Sequence, residues 1–200
     1  MKLFTKYLWA SLLAVVALSS CDDDDPEIPN EEEVITTVIL ELEDEAGNDI
    51  DFVFEDLDGD GGNAPEITSE PLAANTTYHG HIEFLNELAE EEEEEEEEDE
   101  DEHGHAHGED VTEEIREEAE EHQVFYVLSS GVDATAQYED DDVDADGNPV
   151  GLEVIITTGD ASTGTLTITL RHEPKKPNDG TLSDAGGETD VEVTFDMVIQ

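Results

Sequence analysis

Residues 191–199, VEVTFDMVI, decide the fold class of this chain. Apolar side chains in this stretch alternate with Glu192, Thr194 and Asp196, which is the period of a β-strand with one buried face. The same alternation recurs in segments 50–54, 78–84, 132–138, 152–156 and 166–170. Two apolar runs, 34–42 and 124–128, raise the number of predicted strands to about eight.

Turn-forming residues separate these segments. Examples are residues 46–49 (AGND), 146–149 (DGNP) and 159–164 (GDASTG). Short strands joined by such turns favour antiparallel pairing over a parallel sheet. We therefore predict an all-β fold, an immunoglobulin-like antiparallel β-sandwich, within residues 34–200.

One short helix is predicted at residues 110–122. Asp110 can cap its first turn, and Glu113 follows three residues later. Val111, Ile115 and Ala119 form a narrow apolar stripe that can lie over one edge of the sandwich.

The charge of the chain is extreme and unevenly placed. It has 59 acidic and 6 basic residues, and 13 acidic residues in succession occupy positions 90–102. We interpret residues 87–109 as an acidic, histidine-rich, disordered insert in the folded domain. The negative field repels nucleic acid and anionic membrane surfaces, so the expected partners are divalent cations or basic molecules.

The first 20 residues have the composition of a secretory signal peptide. Lys2 and Lys6 precede an apolar run at 7–18, which is too short to span a bilayer, and small residues precede Cys21. Residues 18–21 (LSSC) resemble the lipobox of bacterial lipoproteins, which implies cleavage before Cys21 and lipid on its sulfur. Cys21 is the only cysteine in the sequence, so it has no disulfide partner within the chain.

The segment after the predicted cleavage site, residues 21–33, is an acidic tether. Four aspartates follow Cys21, and we expect the tether to be extended and disordered. Without Lys2 and Lys6 the mature chain keeps 4 basic and all 59 acidic groups, a formal charge of −55. Acidic residues after the lipidated cysteine have two precedents, retention at the inner membrane and export to the cell surface. We expect an outer-membrane lipoprotein with its domain facing outward.

Four further segments carry a family resemblance: residues 56–65 (DLDGDGGNAP), 72–78 (LAANTTY), 171–174 (RHEP) and 185–190 (AGGETD). Together with the leader, they resemble small Bacteroidota lipoproteins of uncharacterised function. Some of these proteins carry the label "type 1 periplasmic binding fold superfamily". That label implies two α/β lobes around a cleft, whereas the alternation in this chain predicts a β fold.

Histidines supply the first candidate metal site. Imidazole nitrogens suit zinc, copper and nickel, and the neighbouring glutamates raise the local cation concentration. The candidate ligands are His103, His105 and His107 after the acidic run, His79 and His81 on one strand face, and His122 at the end of the predicted helix. The alternative is a flexible insert with incidental histidines. Because the site lacks cysteine ligands, we do not expect a closed structural zinc site.

Two aspartate-rich loops are candidate calcium sites. Residues 142–153 follow the spacing D-x-D-x-D-G-x5-E, and residues 56–63 place carboxylates two apart beside glycines. The candidate ligands are Asp142, Asp144, Asp146 and Glu153 in one loop and Asp56, Asp58, Asp60 and Asn63 in the other. In both loops the alternative is an ordinary turn, and predicted strands rather than helices flank residues 142–153.

Catalysis has little support in the sequence. No phosphate-binding loop and no H-E-x-x-H motif is present, and the simplest role for Arg171-His172-Glu173 is to end a strand with charge. We therefore expect a non-catalytic binding or structural module on a lipid anchor, which binds divalent cations such as calcium or zinc. The alternatives are a metal-handling protein that collects zinc, copper or nickel and, with less support, an enzyme.

Overall fold

Two antiparallel sheets enclose one apolar core in this protein. The structure is a computed structural model that describes residues 33–58, 62–89, 108–139 and 141–200. The strands are β1 (Thr37–Asp44), β2 (Asp49–Glu55), β3 (Glu66–Ser69), β4 (Thr77–Asn86), β5 (Glu109–Asp110), β6 (His122–Leu128), β7 (Ala134–Tyr138), β8 (Glu153–Thr158), β9 (Ser162–His172) and β10 (Glu188–Ile199). The helices are α1 (Val111–Glu117) and α2 (Leu182–Ala185).

The strand order assigns each strand to one of the two sheets. The first sheet runs β3-β2-β1-β4-β8-β7, with β5 paired to β4, and the second sheet runs β10-β9-β6. All the strand pairs within these sheets are antiparallel. The predicted all-β sandwich with a short helix is therefore confirmed.

The core lies between the inner faces of both sheets. Leu40 and Phe52 from the first sheet and Leu170 and Phe195 from the second are completely buried. The ring centroids of Phe52 and Phe195 lie 5.6 Å apart, so the two sheets make direct contact there. Burying these alternating side chains is the main favourable contribution to folding, and it opposes the charge repulsion of the acidic chain.

Helix α1 closes one end of this core. Val111 and Ile115 are buried in the core, and the Asp110 side chain accepts a hydrogen bond from the backbone N–H of Thr112. The predicted cap and apolar stripe are confirmed, but the helix ends at Glu117 rather than at 122. The prediction that His122 ends the helix is wrong, because His122 pairs with β9 as the first residue of β6.

The alternation did not reveal two of the strands. β3 is an edge strand with little buried surface, and β5 has two residues, so neither has a clear pattern of buried side chains. Neither α1 nor α2 is long and apolar enough to cross a membrane.

Candidate metal centre

Two histidines meet at the end of the core that lies near α1. His122 begins β6 and His172 ends β9, and the strand register places them directly opposite each other. His122 is two residues before the core residue Val124, and His172 is two residues after the core residue Leu170, so both histidine side chains point inward. Their rings are stacked, with centroids 4.8 Å apart and an interplanar angle of 21°.

Two carboxylates complete this group. Glu33, which precedes β1, places Oε1 3.0 Å from Nε2 of His122. Asp190 lies at a β-bulge in β10, and its Oδ1 is 3.8 Å from Nδ1 of His172. A bulge redirects a side chain that regular pairing would place elsewhere. One potential ligand atom from each of the four residues lies within 4.8 Å of the others, and we call this group the buried centre.

The buried centre is almost entirely closed to solvent. The side chains of His122 and Asp190 are 0% exposed, and those of Glu33 and His172 are 5% exposed. Glu33 Oε2 is buried and has no hydrogen-bond partner among the described residues. A buried carboxylate oxygen that lacks compensation costs free energy, so this atom favours a cation that occupies the same space.

The electrostatics of the buried centre favour positive charge. Burial by itself would lower the pKa of His122, but the hydrogen bond and the charge of Glu33 raise that pKa overall. Burial by itself would raise the pKa of Glu33, but the interactions of Glu33 with His122 and His172 lower that pKa overall. Nearby, burial and then the negative charges of Glu118 and Glu33 raise the pKa of Glu114.

The donor set fits a divalent transition metal. Two neutral imidazoles and two carboxylates balance a charge of +2, and two nitrogens with two oxygens can form a tetrahedral zinc site. Ligand atoms around tetrahedral zinc lie about 3.3 Å apart, because the bonds are about 2.0–2.1 Å long. The four atoms, now within 4.8 Å of one another, would need to approach by at most about 1.5 Å. Calcium, which prefers oxygen ligands only, fits this set poorly.

Three members of the buried centre were absent from the predicted ligand set: Glu33, His172 and Asp190. The sequence does contain a partial signal, because His122 and His172 both continue the inward parity of their strands. The direct pairing of β6 with β9 became visible only in the tertiary structure. The centre also shows that a closed group of four donors can form without cysteine.

The other predicted histidine ligands lie elsewhere. His79 and His81 are on the outer face of β4, beside the buried inward-facing residues Tyr78 and Gly80. His122 points into the core from the second sheet, so the first sheet separates it from these two histidines. His122 therefore does not share a face with His79 and His81, and metal binding by these histidines together with the 103–107 segment stays a prediction. Cys21, Asp60, His103, His105 and His107 lie outside the described residues.

Two carboxylates of the loop at 142–153, those of Asp142 and Asp144, accept hydrogen bonds from within the loop. Asp142 Oδ2 accepts hydrogen bonds from the N–H groups of Gly151 and Glu153. Asp144 accepts from the backbone of Asp146 and from the backbone and side chain of Asn148, which gives the loop the geometry of an aspartate-stabilised turn.

The ammonium group of a lysine already provides a positive charge beside this loop. Lys176 Nζ lies 3.4 Å from Asp144 Oδ2, and both side chains are buried. Burial lowers the pKa of Lys176 in spite of the opposing charge of Asp144. Glu153, the residue at position twelve, directs Oε1 to His81 Nδ1 at 3.0 Å. Calcium would therefore compete with a resident ammonium group, and calcium binding here stays a prediction.

The loop that follows β2 is also held by its own hydrogen bonds. Asp58 accepts from the backbone N–H of Asn63 at 2.9 Å and from its side-chain amide at 2.6 Å. These hydrogen bonds lower the pKa of Asp58, against the effect of desolvation. Asp56 directly follows β2 and begins the same loop. Calcium binding by these residues likewise stays a prediction.

Comparison with protein-family models, with curated proteins and with solved structures finds no match to this chain. Its function must therefore be argued from the arrangement of its own residues.

Proposed function

We propose that this protein is a lipid-anchored, non-catalytic module of the cell envelope, with a β-sandwich that holds one structural divalent transition-metal ion. The buried centre carries this proposal, because its four potential ligands converge where solvent does not reach. Zinc is the favoured ion for two imidazoles and two carboxylates.

A structural role suits this centre better than a catalytic one. Catalytic zinc sites have three protein ligands and an open position for water or substrate, whereas structural sites have four protein ligands. The centre offers four donors and is closed to solvent. An ion held there would have no place for a substrate.

The positions of the ligands suggest what the metal does. Glu33 stands at the end of the predicted tether and before β1, whereas His122, His172 and Asp190 belong to the second sheet. An ion bound by all four would join the start of the domain to the opposite sheet. It would stabilise the point at which the fold continues into the anchor, because a metal that binds the folded state alone favours folding.

The membrane anchor rests on the sequence of the leader. Cys21 follows a short apolar run and small residues, and it is the first residue of the acidic tether, residues 21–33. Several acyl chains would hold the protein stably at a membrane, since each buried methylene contributes about 0.8 kcal/mol. We expect mass spectrometry of the native protein to find residue 21 as the first residue and to find lipid on its sulfur. An intact leader or an unmodified thiol would refute the anchor.

Zinc titration tests the buried centre. The protein is the mature chain from residue 21 with Cys21→Ser, in which His103, His105 and His107 are each replaced by Gln to remove the loop ligands. We expect calorimetry to find one tight zinc site in this parent. His172→Gln should weaken it by more than about 100-fold, because losing a direct ligand costs more than losing an outer-shell partner.

The matched control is His81→Gln, the same substitution on the outer sheet face, which should leave the tight site unchanged. Glu33→Gln provides a second test, because Glu33 precedes β1 and lies outside both sheets. Circular dichroism verifies that each variant is folded. Tight zinc binding that survives in folded His172→Gln and Glu33→Gln would overturn the proposed centre.

A further inference from the structure

A groove crosses the outer face of the first sheet, on the side away from the core. It has a volume of about 380 Å³, and we call it the outer groove. Its lining comes from β1, β2, β4 and β8, and its histidines are His79 and His81. These histidines are two residues apart on β4, so their side chains lie on one face of the sheet.

Each histidine of the outer groove has a carboxylate within hydrogen-bonding distance of Nδ1, and Nε2 of His81 also lies 3.8 Å from Oε1 of Glu83. His79 Nδ1 lies 2.7 Å from Glu139 Oε1, and His81 Nδ1 lies 3.0 Å from Glu153 Oε1. This arrangement is the one that metal-binding histidines use, since a carboxylate that accepts the Nδ1 proton orients the ring and makes Nε2 the metal donor. The two carboxylates come from the β7–β8 side of the sheet and therefore hold both rings from the same direction.

Two more potential ligands lie on the other side of these histidines. In the β1–β4 register, Glu43 is directly opposite His79 and Glu41 is directly opposite His81. Directly opposed side chains on antiparallel strands have Cβ atoms about 4.5–5.5 Å apart, within reach of a shared ion. The outer groove thus combines two oriented imidazoles with two carboxylates that face them.

We propose that His79 and His81, with Glu41 and Glu43 opposite them, form a second site for a divalent transition-metal ion, open to solvent and exchangeable. Nε2 of each imidazole provides the nitrogen donors, and the two glutamates provide oxygen. Copper(II) is the tightest-binding ion expected, because a site of nitrogen and oxygen donors follows the general order of divalent metal affinities. The side chain of His79 is 62% exposed, so the ion would exchange with solvent.

Site-resolved NMR with copper tests this site independently of the buried centre. The sample is again the mature chain with Cys21→Ser and with His103, His105 and His107 replaced by Gln, and one equivalent of zinc is added first so that the buried centre is filled before copper is added. We expect substoichiometric copper to broaden the imidazole signals of His79 and His81 before those of His122 and His172. Equal broadening of all four histidines, or initial broadening at His122 and His172, would overturn the outer site without affecting the proposal for the buried centre.

Two further variants separate an oriented ligand pair from simple attraction of cations to negative charge. Glu139→Gln removes the carboxylate that holds His79, and Asp49→Asn removes a groove carboxylate that has no hydrogen bond to either histidine. Loss of an outer-shell carboxylate typically weakens metal binding about 10–100-fold. We expect Glu139→Gln to weaken copper binding by about 10-fold or more and Asp49→Asn to weaken it less. Equal effects of the two substitutions would refute the oriented pair.

Discussion

His122 and His172 in the buried centre and His79 and His81 in the outer groove are the same donor type in opposite surroundings. Each pair lies near carboxylates on an antiparallel framework. The first pair is opposed across β6 and β9 and closed to solvent, whereas the second pair lies along one exposed strand face. The two regions therefore differ in burial more than in chemistry.

Burial determines how strongly each metal site is coupled to folding. In the outer groove, water can solvate the histidines and carboxylates when no ion is present, so the fold does not depend on a metal. In the buried centre, Glu33 Oε2 lacks both exposure and a hydrogen-bond partner among the described residues. Water does not reach that oxygen, whereas Oε1 of the same carboxylate pairs with His122, so a metal ion should add more stability to this ligand set than to the solvated one.

The largest difference in stability between the two sites should appear when the metal is removed. A ligand in 1,000-fold excess over its Kd stabilises a protein by about 4 kcal/mol, which corresponds to a Tm shift of about 10 °C for a domain of this size. We expect a chelator to lower the Tm of the zinc-loaded parent by about this amount. Calorimetric melting with and without chelator measures the shift.

The variants of the two sites should respond differently to the chelator. His79→Gln with His81→Gln should keep the full shift, whereas folded His172→Gln should show little of it. If instead the outer-groove variant lost the zinc-dependent shift, the contrast between coupled and uncoupled sites would be wrong.

The protein also contains a buried carboxylate that is already paired with a lysine, which can be compared with the carboxylates of the buried centre. Lys176 pairs with Asp144, and the two side chains are 6% and 2% exposed. We expect Lys176→Met to lower the free energy of unfolding by about 3 kcal/mol, because removing one partner of a buried pair leaves the other charge without its counter-ion. Urea denaturation should show this loss equally with zinc and with chelator, since this pair lies outside the buried centre.

The neighbouring lysine provides the control for that experiment. Lys175 forms a surface pair with Asp184 at 3.0 Å, and its side chain is 61% exposed. Lys175→Met should therefore lower the free energy of unfolding much less than Lys176→Met does. A loss as large as that of Lys176→Met would show that burial is not what distinguishes the two pairs.

The smallest effect is expected at the outer groove. With chelator present, His79→Gln and His81→Gln together should change the free energy of unfolding by no more than about 0.5 kcal/mol, as is typical of surface substitutions. Urea denaturation measures this difference. A loss above about 2 kcal/mol would show that these histidines support the fold, and the contrast with the buried centre would fail.

Local signals in the sequence predict some elements of this fold and miss others. The alternation in 191–199 predicted β10, and Asp110 with its apolar stripe predicted α1, because both signals are local. The sequence indicates His122 as a candidate ligand but places it at the end of a helix. In the structure the seven-residue helix ends at Glu117, and His122 begins β6. Asp190 gave no local signal, because its position depends on a bulge that exists only when β9 and β10 pair.

The sequence alone specified eight of the ten described β-strands, the inward-facing residues of those strands and the extreme acidity, because side-chain alternation and charge are properties of the local chain. It also determined which strand face carries His79 and His81, since positions two apart on a strand share a face. Only the tertiary structure decided that Glu33, His122, His172 and Asp190 meet, because their proximity depends on strand pairing and on the course of the chain before β1. The same pairing closes the group to water, so its carboxylates depend on the two histidines, or on a bound metal ion, for compensation.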